Sequence, residues 1–235
     1  MMNDIKHLFF DLDHTLWDFE RNSKETLSEL YEEFKLEAVI QNKDRFLATY
    51  QTVNAIYWKK YRDGKIDKQT VRFGRFSDTL KRLKVKQFEE LGKTIGDEYV
   101  VRGPQKRHLF PNTHETLKNL QEKYPLHIIT NGFKEVQSVK MGGTDLERYF
   151  DLILCSEDVG VNKPNKKVFE RALEITGCKA ENAVMIGDNI EADIQGAKKV
   201  GMSTILFDPK NEHTSYSTEY NHLIIQDLSE LQEIF

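Results

Sequence analysis

Two cysteines in 235 residues, Cys155 and Cys178, are too few and too far apart for a disulfide framework or a thiolate metal cluster. Cys155 lies between Leu154 and Ser156 and Cys178 between Gly177 and Lys179, and each is expected to be a small buried thiol. The seven histidines show no His-x-His or His-x-x-x-His spacing, so any metal must be held by oxygen. No apolar run reaches the roughly 18 residues that a membrane span requires. The N-terminus goes from Met-Met-Asn-Asp-Ile-Lys straight into a strand-like run, without the apolar stretch and small-residue cleavage site of a signal peptide, so a cytoplasmic location is expected. A strong positive balance is missing too. The net charge of −4 argues against broad binding to nucleic-acid polymers or anionic membranes. The length suits one large domain, or a core with a smaller second one, and allows a buried core without covalent staples.

What is present alternates between two textures. Short β-rich runs fall at Ile5–Phe10, Leu126–Thr130, Leu152–Cys155, Ala183–Ile186, Thr204–Phe207 and Leu223–Ile225. Several are apolar almost throughout, as parallel strands covered on both faces must be. Between them lie helical patterns. Val168, Phe169, Ala172 and Leu173 share one face after Asn165, and Gly177 is placed to end that helix. Asn112 with Glu115 predicts a capping box opening the helix of Leu117 and Leu120. Strands alternating with helices predict an α/β, Rossmann-like, doubly wound parallel sheet.

Residues 18–105 differ. Leu27, Leu30, Tyr31 and Phe34, then Phe46, Tyr50 and Tyr57, then Phe73, Phe76, Leu80 and Leu83, then Phe88, Leu91 and Ile95 recur at helical spacing. The stretch predicts an inserted α-helical cap domain of about four helices, with turns near Asp63-Gly64 and Val85-Lys86 and a close at Gly103-Pro104. Residues 1–17 and 106–235 would then form the catalytic core. Ligands bind open parallel sheets at the carboxyl ends of the strands, which is where this insertion leaves the chain.

Chemistry-bearing residues collect at four such ends. The first apolar run stops at Asp11-Leu12-Asp13-His14-Thr15, two carboxylates that can converge on one point. The second stops at Thr130-Asn131-Gly132, where a hydroxyl and close-approaching backbone suit an anion. Lys163, held out of the next helix by Pro164, stands on a third loop. The fourth run ends at Gly187-Asp188-Asn189, with Asp193 a turn later. Each alone also fits an ordinary turn or helix start. Together, on one sheet edge, they supply what phosphoryl transfer needs. The carboxylates of Asp11 and Asp188 and the backbone carbonyl of Asp13 suit a hard cation such as Mg2+. Thr130 and Lys163 suit the phosphoryl oxygens.

Asp11-x-Asp13-x-Thr15, Thr130, Lys163-Pro164 and Gly187-Asp188 with Asp193 stand in the order of the four motifs of the haloacid dehalogenase superfamily. The chain resembles its helical-cap members, most of which are phosphatases. The resemblance implies Asp11 as nucleophile and Asp13 as acid/base. It implies phosphate binding by Thr130, Asn131 and Gly132, Lys163 holding Asp11 and phosphate together, and Mg2+ on Asp188. Thr15, Asn189 and Asp193 would be supporting residues. Asp-x-Asp-His-Thr-Leu-Trp-Asp-Phe, Ser-Glu-Asp-Val-Gly and Gly-Asp-Asn-Ile-Glu-Ala-Asp-Ile are similar to a bacterial subfamily of pyrimidine 5'-nucleotidases described as house-cleaning enzymes. The implied partner is a small phosphorylated metabolite, acted on by a monomer or small homo-oligomer. A sugar phosphate, or another small phosphometabolite, is the alternative substrate. A 2-haloacid dehalogenase would need neither Asp13 nor Asp188, and a phosphomutase or a silent binding protein is less favoured still.

Lys59 to Lys86 carries eleven Lys or Arg against three Asp, a surplus of eight positive charges in an acidic chain. It is either a solvated helix face or a field that draws an anionic substrate. Trp17 and Phe19, just past the first motif, are expected to shape the pocket for the leaving group.

Overall fold

Six parallel strands carry the first unit of the computed structural model, which describes residues 4–213 and 223–235. They are β1 (His7–Phe10), β2 (Leu126–Thr130), β3 (Leu152–Cys155), β4 (Ala183–Gly187), β5 (Ser203–Phe207) and β6 (Leu223–Ile225), in the order β3-β2-β1-β4-β5-β6. β1 begins two residues later than the apolar pattern suggests. Its ladder starts at His7 opposite Ala183 and at Leu8 opposite Leu126, so earlier residues have no strand on either side.

Alternation along these strands splits their side chains between two cores. Leu8, Phe10, Ile128, Val184, Ile186 and Ile205 join one cluster. Phe9, Ile129, Leu154 and Met185 join the other, which also takes Val168, Phe169 and Ala172. Both faces are covered, which is why the strands show no polar alternation. Cys155 is buried and Cys178 only half-buried. From β1 the chain builds outward to β2 and β3, then crosses to β4 on the other side. The reversal of direction lies at the carboxyl ends of β1 and β4, where open α/β sheets bind ligands.

The chain divides into two units, Met1–Phe19 with His108–Phe235, and Glu20–Arg107. At the junction Asp18 N–H donates to His108 O at 3.0 Å, pairing the outgoing and returning segments. The helical stretch contains α1 (Phe19–Glu33), α2 (Lys43–Arg62), α3 (Arg75–Arg82) and α4 (Phe88–Arg102), and no strand. Leu27, Leu30, Phe46, Tyr50, Phe76, Leu80, Ile95 and Tyr99 form its core. Part of the positive surplus is tied up within this unit. Arg75 is only 4% exposed, enclosed by the rings of Tyr50, Phe76 and Tyr99, and donates to Asn54 Oδ1 at 2.7 Å. Arg72 pairs with Asp97 at 3.1 Å and Arg82 with Asp78 at 3.2 Å.

Back in the sheet unit follow α5 (Thr113–Gln121), α6 (Lys134–Gly143) and α7 (Lys166–Thr176). Asn165 caps α7 by accepting from Lys167 N–H at 3.1 Å, and Gly177 ends it at φ 64°. The capping box expected at Asn112 is absent. Asn112 sits at φ 60°, where its side chain cannot turn back on the helix, and it donates instead to Asp227 Oδ1 at 2.8 Å. The reciprocal box belongs to Asp227 and Glu230. No helix among the described residues is long and apolar enough to cross a membrane.

Candidate active site

Asp11 follows the last residue of β1, and its N–H still donates to Ile186 O of β4 at 2.9 Å. The ladder therefore fixes the backbone at the switch point and leaves the carboxylate at the strand end, 8% exposed. Lys163 reaches it from the loop before α7. Its ammonium, 1% exposed, donates to Asp11 Oδ1 at 2.8 Å, Asp193 Oδ1 at 2.6 Å and Ile129 O at 2.6 Å. Those three bonds use all three of its protons. Lys163 thus stands beside Asp11 as a fixed positive charge.

Asn131 holds that loop in place. Its Oδ1 accepts from Lys163 N–H at 2.8 Å and lies 2.6 Å from Ser156 Oγ, while its Nδ2 donates to Lys163 O at 3.1 Å. The Asn131 side chain thus ties the ends of β2 and β3 to the lysine, while its backbone and that of Gly132, the part expected on phosphate, follow directly on β2.

One carboxylate oxygen from each of Asp11, Asp188 and Asp193 lies within 4.8 Å of the others. Thr15 Oγ1 donates to Asp188 Oδ1 at 3.3 Å. Asn189 N–H donates to Asp193 Oδ2 at 3.0 Å, and Asn189 Oδ1 caps the following turn through Ala192 N–H at 2.8 Å. Gly187 makes this packing possible, since a Cβ there would stand 2.4 Å from Asp193 Oδ2. Burial pushes Asp11 up to about 7, with Asp193 adding to the rise and Lys163 opposing it. Burial, then Asp193 and Asp11, push Asp188 well above the usual carboxylate range. Burial disfavours the Lys163 ammonium, but Asp11 and Asp193 outweigh it and raise its pKa. Three clustered carboxylates, those of Asp11 and Asp193 buried and that of Asp188 half-buried, stand around one ammonium that bonds two of them, so the cluster carries surplus negative charge on an all-oxygen donor set. That chemistry fits a hard divalent cation.

Asp13 faces a different environment. Lys140 Nζ donates to its Oδ1 at 2.5 Å and Gln137 Nε2 to its Oδ2 at 2.8 Å. Burial pushes Asp13 up, yet the Lys140 charge and the bonds from Lys140 and Gln137 outweigh it and hold the carboxyl below its usual value. Gln137 Nε2 also lies 2.7 Å from Thr130 Oγ1, which accepts a second bond from Gly132 N–H at 3.1 Å. With its lone pairs taken, the Thr130 hydroxyl keeps its proton to donate. Gly132 allows a close approach, but to Gln137: a Cβ there would stand 2.0 Å from Gln137 Nε2.

Gln137 and Lys140 lie outside all four motifs of the sequence. Both are buried on α6 together with Met141, and this i, i+3, i+4 grouping of polar residues with an apolar one was the available signal. Trp17 is not an open stacking surface. It is 2% exposed, and Lys140 Nζ rests 4.4 Å from its ring centroid and 5.9 Å from that of Phe19.

A sequence family described as haloacid dehalogenase-like hydrolase matches residues 8–207. The chain is 34% identical over 198 residues to the pyrimidine 5'-nucleotidase YjjG of Escherichia coli strain K12, covering 84% of this chain and 83% of that one. It is 31% identical to the pyrimidine 5'-nucleotidase PynA of Streptococcus pneumoniae, with coverage of 95% and 93%. Among solved structures, the putative HAD-hydrolase YfnB of Bacillus subtilis, bound to magnesium, superposes with a TM-score of 0.86 at 29% identity over 99% of both chains. The chain belongs to the haloacid dehalogenase-like hydrolases.

Proposed function

We infer that this chain is a magnesium-dependent phosphohydrolase that cleaves a nucleoside 5'-monophosphate, a pyrimidine one foremost, through an aspartyl-phosphate on Asp11. The observation that carries the reading is the buried Asp11 carboxylate, clamped by Lys163 at 2.8 Å and grouped with Asp188 and Asp193. The two nucleotidase relatives support the substrate class, and the magnesium-bound Bacillus subtilis relative supports the metal.

Asp11 and Asp188, with the backbone carbonyl of Asp13, would hold Mg2+. Both oxygens of Asp193 are engaged, one by Lys163 and one by Asn189 N–H, which suits it to support from behind. The bound cation supplies positive charge for the phosphoryl oxygens and keeps Asp11 ionised despite its burial. Asp11 attacks phosphorus as the ester bond breaks, and Asp13, which must first take up a proton against the Lys140 charge, passes it to the departing oxygen. Asp13 then takes a proton from the water that cleaves the acyl phosphate. Thr130 donates to a phosphoryl oxygen, and Lys163 offsets charge beside the nucleophile.

The test is phosphate release over a panel of nucleoside monophosphates and sugar phosphates, with and without Mg2+. Turnover of pyrimidine monophosphates that chelation abolishes, and that Asp11→Asn lowers by at least about a thousandfold, is expected. Metal-independent turnover, or an active Asp11→Asn protein, refutes the mechanism. Preference for a sugar phosphate refutes the substrate class alone.

A further inference from the structure

We propose that Lys140 and Gln137 are positioning residues that aim the Asp13 carboxyl group at the leaving oxygen, with Trp17 and Phe19 as the platform beneath Lys140. The inference rests on the phosphohydrolase reading and adds to it an orienting device placed outside the four motifs.

A carboxyl group that must hand a proton to one particular oxygen needs a fixed plane as well as a fixed position, because misplacement by about 1 Å costs on the order of a hundredfold in rate. Asp13 lies just beyond the end of β1, where nothing in the ladder fixes its side-chain torsion. Its two oxygens are pinned by two different donors, Lys140 on Oδ1 and Gln137 on Oδ2, both from the one helix α6. Two attachments three residues apart on a rigid helix stop rotation about the Cβ–Cγ bond. Each carboxylate oxygen has two lone-pair sites. One bond to each therefore leaves the others free, pointing in a set direction, to carry and deliver the proton.

The donors are themselves constrained. Lys140 is only 4% exposed, and its ammonium sits over the Trp17 and Phe19 rings, an attraction that restricts a long and flexible chain. Gln137 is held between Asp13 and Thr130 and packs so closely on Gly132 that a Cβ there would push its amide away. A single amide group thus sets the spacing between the phosphate-facing hydroxyl and the acid. In the reaction the bond from Asp11 to phosphorus forms and the ester P–O bond breaks. The leaving oxygen takes the Asp13 proton, and the bonds from Lys140 and Gln137 remain in place throughout.

A device of this kind matters only when the leaving oxygen needs a proton. The test compares kcat/KM, which runs through leaving-group departure, for a nucleoside monophosphate or phenyl phosphate and for p-nitrophenyl phosphate. Lys140→Met keeps an unbranched chain over the tryptophan and removes the bond to Asp13. It is expected to lower kcat/KM about a hundredfold on the alkyl or phenyl ester, with KM changing little. On p-nitrophenyl phosphate, whose leaving group departs as a stable anion, the loss should be no more than about fivefold. Gln137→Met is the second variant, expected to show the same ordering should Lys140→Met fail to fold. Equal losses on both esters in a folded variant, or no loss on either, overturn the proposal while the phosphohydrolase reading stands. Wild-type protein inert on both esters with Mg2+ present overturns the underlying reading instead.

Discussion

In the sheet-bearing unit, Asp11, Lys163 and Asp193 are nearly sealed from solvent and crowd onto one point, three donors of one ammonium answering two carboxylates and a carbonyl. In the helical unit the buried cation Arg75 faces three aromatic rings and an amide, and no carboxylate among the described residues pairs with it. Its acids work at the surface, where Arg102 binds Glu33 and Glu98 and Lys106 binds Glu25 and Glu29. The units bury charge for different ends. A cation wrapped in rings has little electrostatic conflict to resolve and serves packing. Carboxylates forced together out of water raise one another's pKa and stay poised for a cation and a phosphoryl group, which is the mark of a reactive site.

Substitutions can break that contrast. Lys163→Met should be the most damaging to stability, because it leaves Asp11 and Asp193 buried without a counter-charge. Removing one partner of such a cluster costs about 3–5 kcal/mol, read as a shift in urea midpoint in metal-free buffer. Added Mg2+ should recover part of the loss by binding only the folded acids. Arg75→Met should cost about 2 kcal/mol or less, the value of its ring contacts, and leave turnover of p-nitrophenyl phosphate near wild type. A loss as large as that of Lys163→Met would erase the distinction between the units.

The smallest effect sharpens the picture of the sheet unit away from the site. His7 Nδ1 and His127 Nε2 lie 2.9 Å apart, and one must donate while the other accepts, so both cannot be protonated there. Burial and the neighbouring His7 push His127 down to about 4 from 6.5. Below pH 6.5 the unfolded chain therefore binds a proton that the folded one refuses, and stability falls as the pH drops from 6.5 towards 4. Asp11 and Asp188, raised by burial, contribute the opposite slope equally to both proteins, so the Tm of His127→Leu minus that of wild type should grow more positive as the pH falls from 6.5 to 4.

The strands were legible because both faces are apolar, and their ends because Asp11, Thr130, Lys163 and Asp188 are reactive types standing where ligands bind such sheets. Within those motifs, roles were harder to see than positions. Asn131 and Gly132 stand where expected, and what was not legible is their added duty: the Asn131 side chain braces Lys163 and Gly132 makes room for Gln137. Such duties depend on neighbours far along the chain. Lys140 meets Asp13 across 127 residues, and a lysine on a helix with no acid nearby in sequence looks like any solvated one. Arg75 misled in the opposite direction: counted in a surplus of positive charge, it is enclosed by three rings, of which Tyr50 and Phe76 already fell in the helical apolar pattern. Asn112 failed as a cap because a left-handed backbone, invisible in residue type, turned its side chain to Asp227.

Trapping the covalent intermediate reaches the centre of the account. Borohydride added during turnover with Mg2+ reduces an aspartyl-phosphate to homoserine, and peptide mass spectrometry locates the change. Homoserine at residue 11, dependent on both substrate and metal, is the predicted result. Vigorous phosphate release with Asp11 recovered unaltered, or with homoserine at another acid, would contradict it.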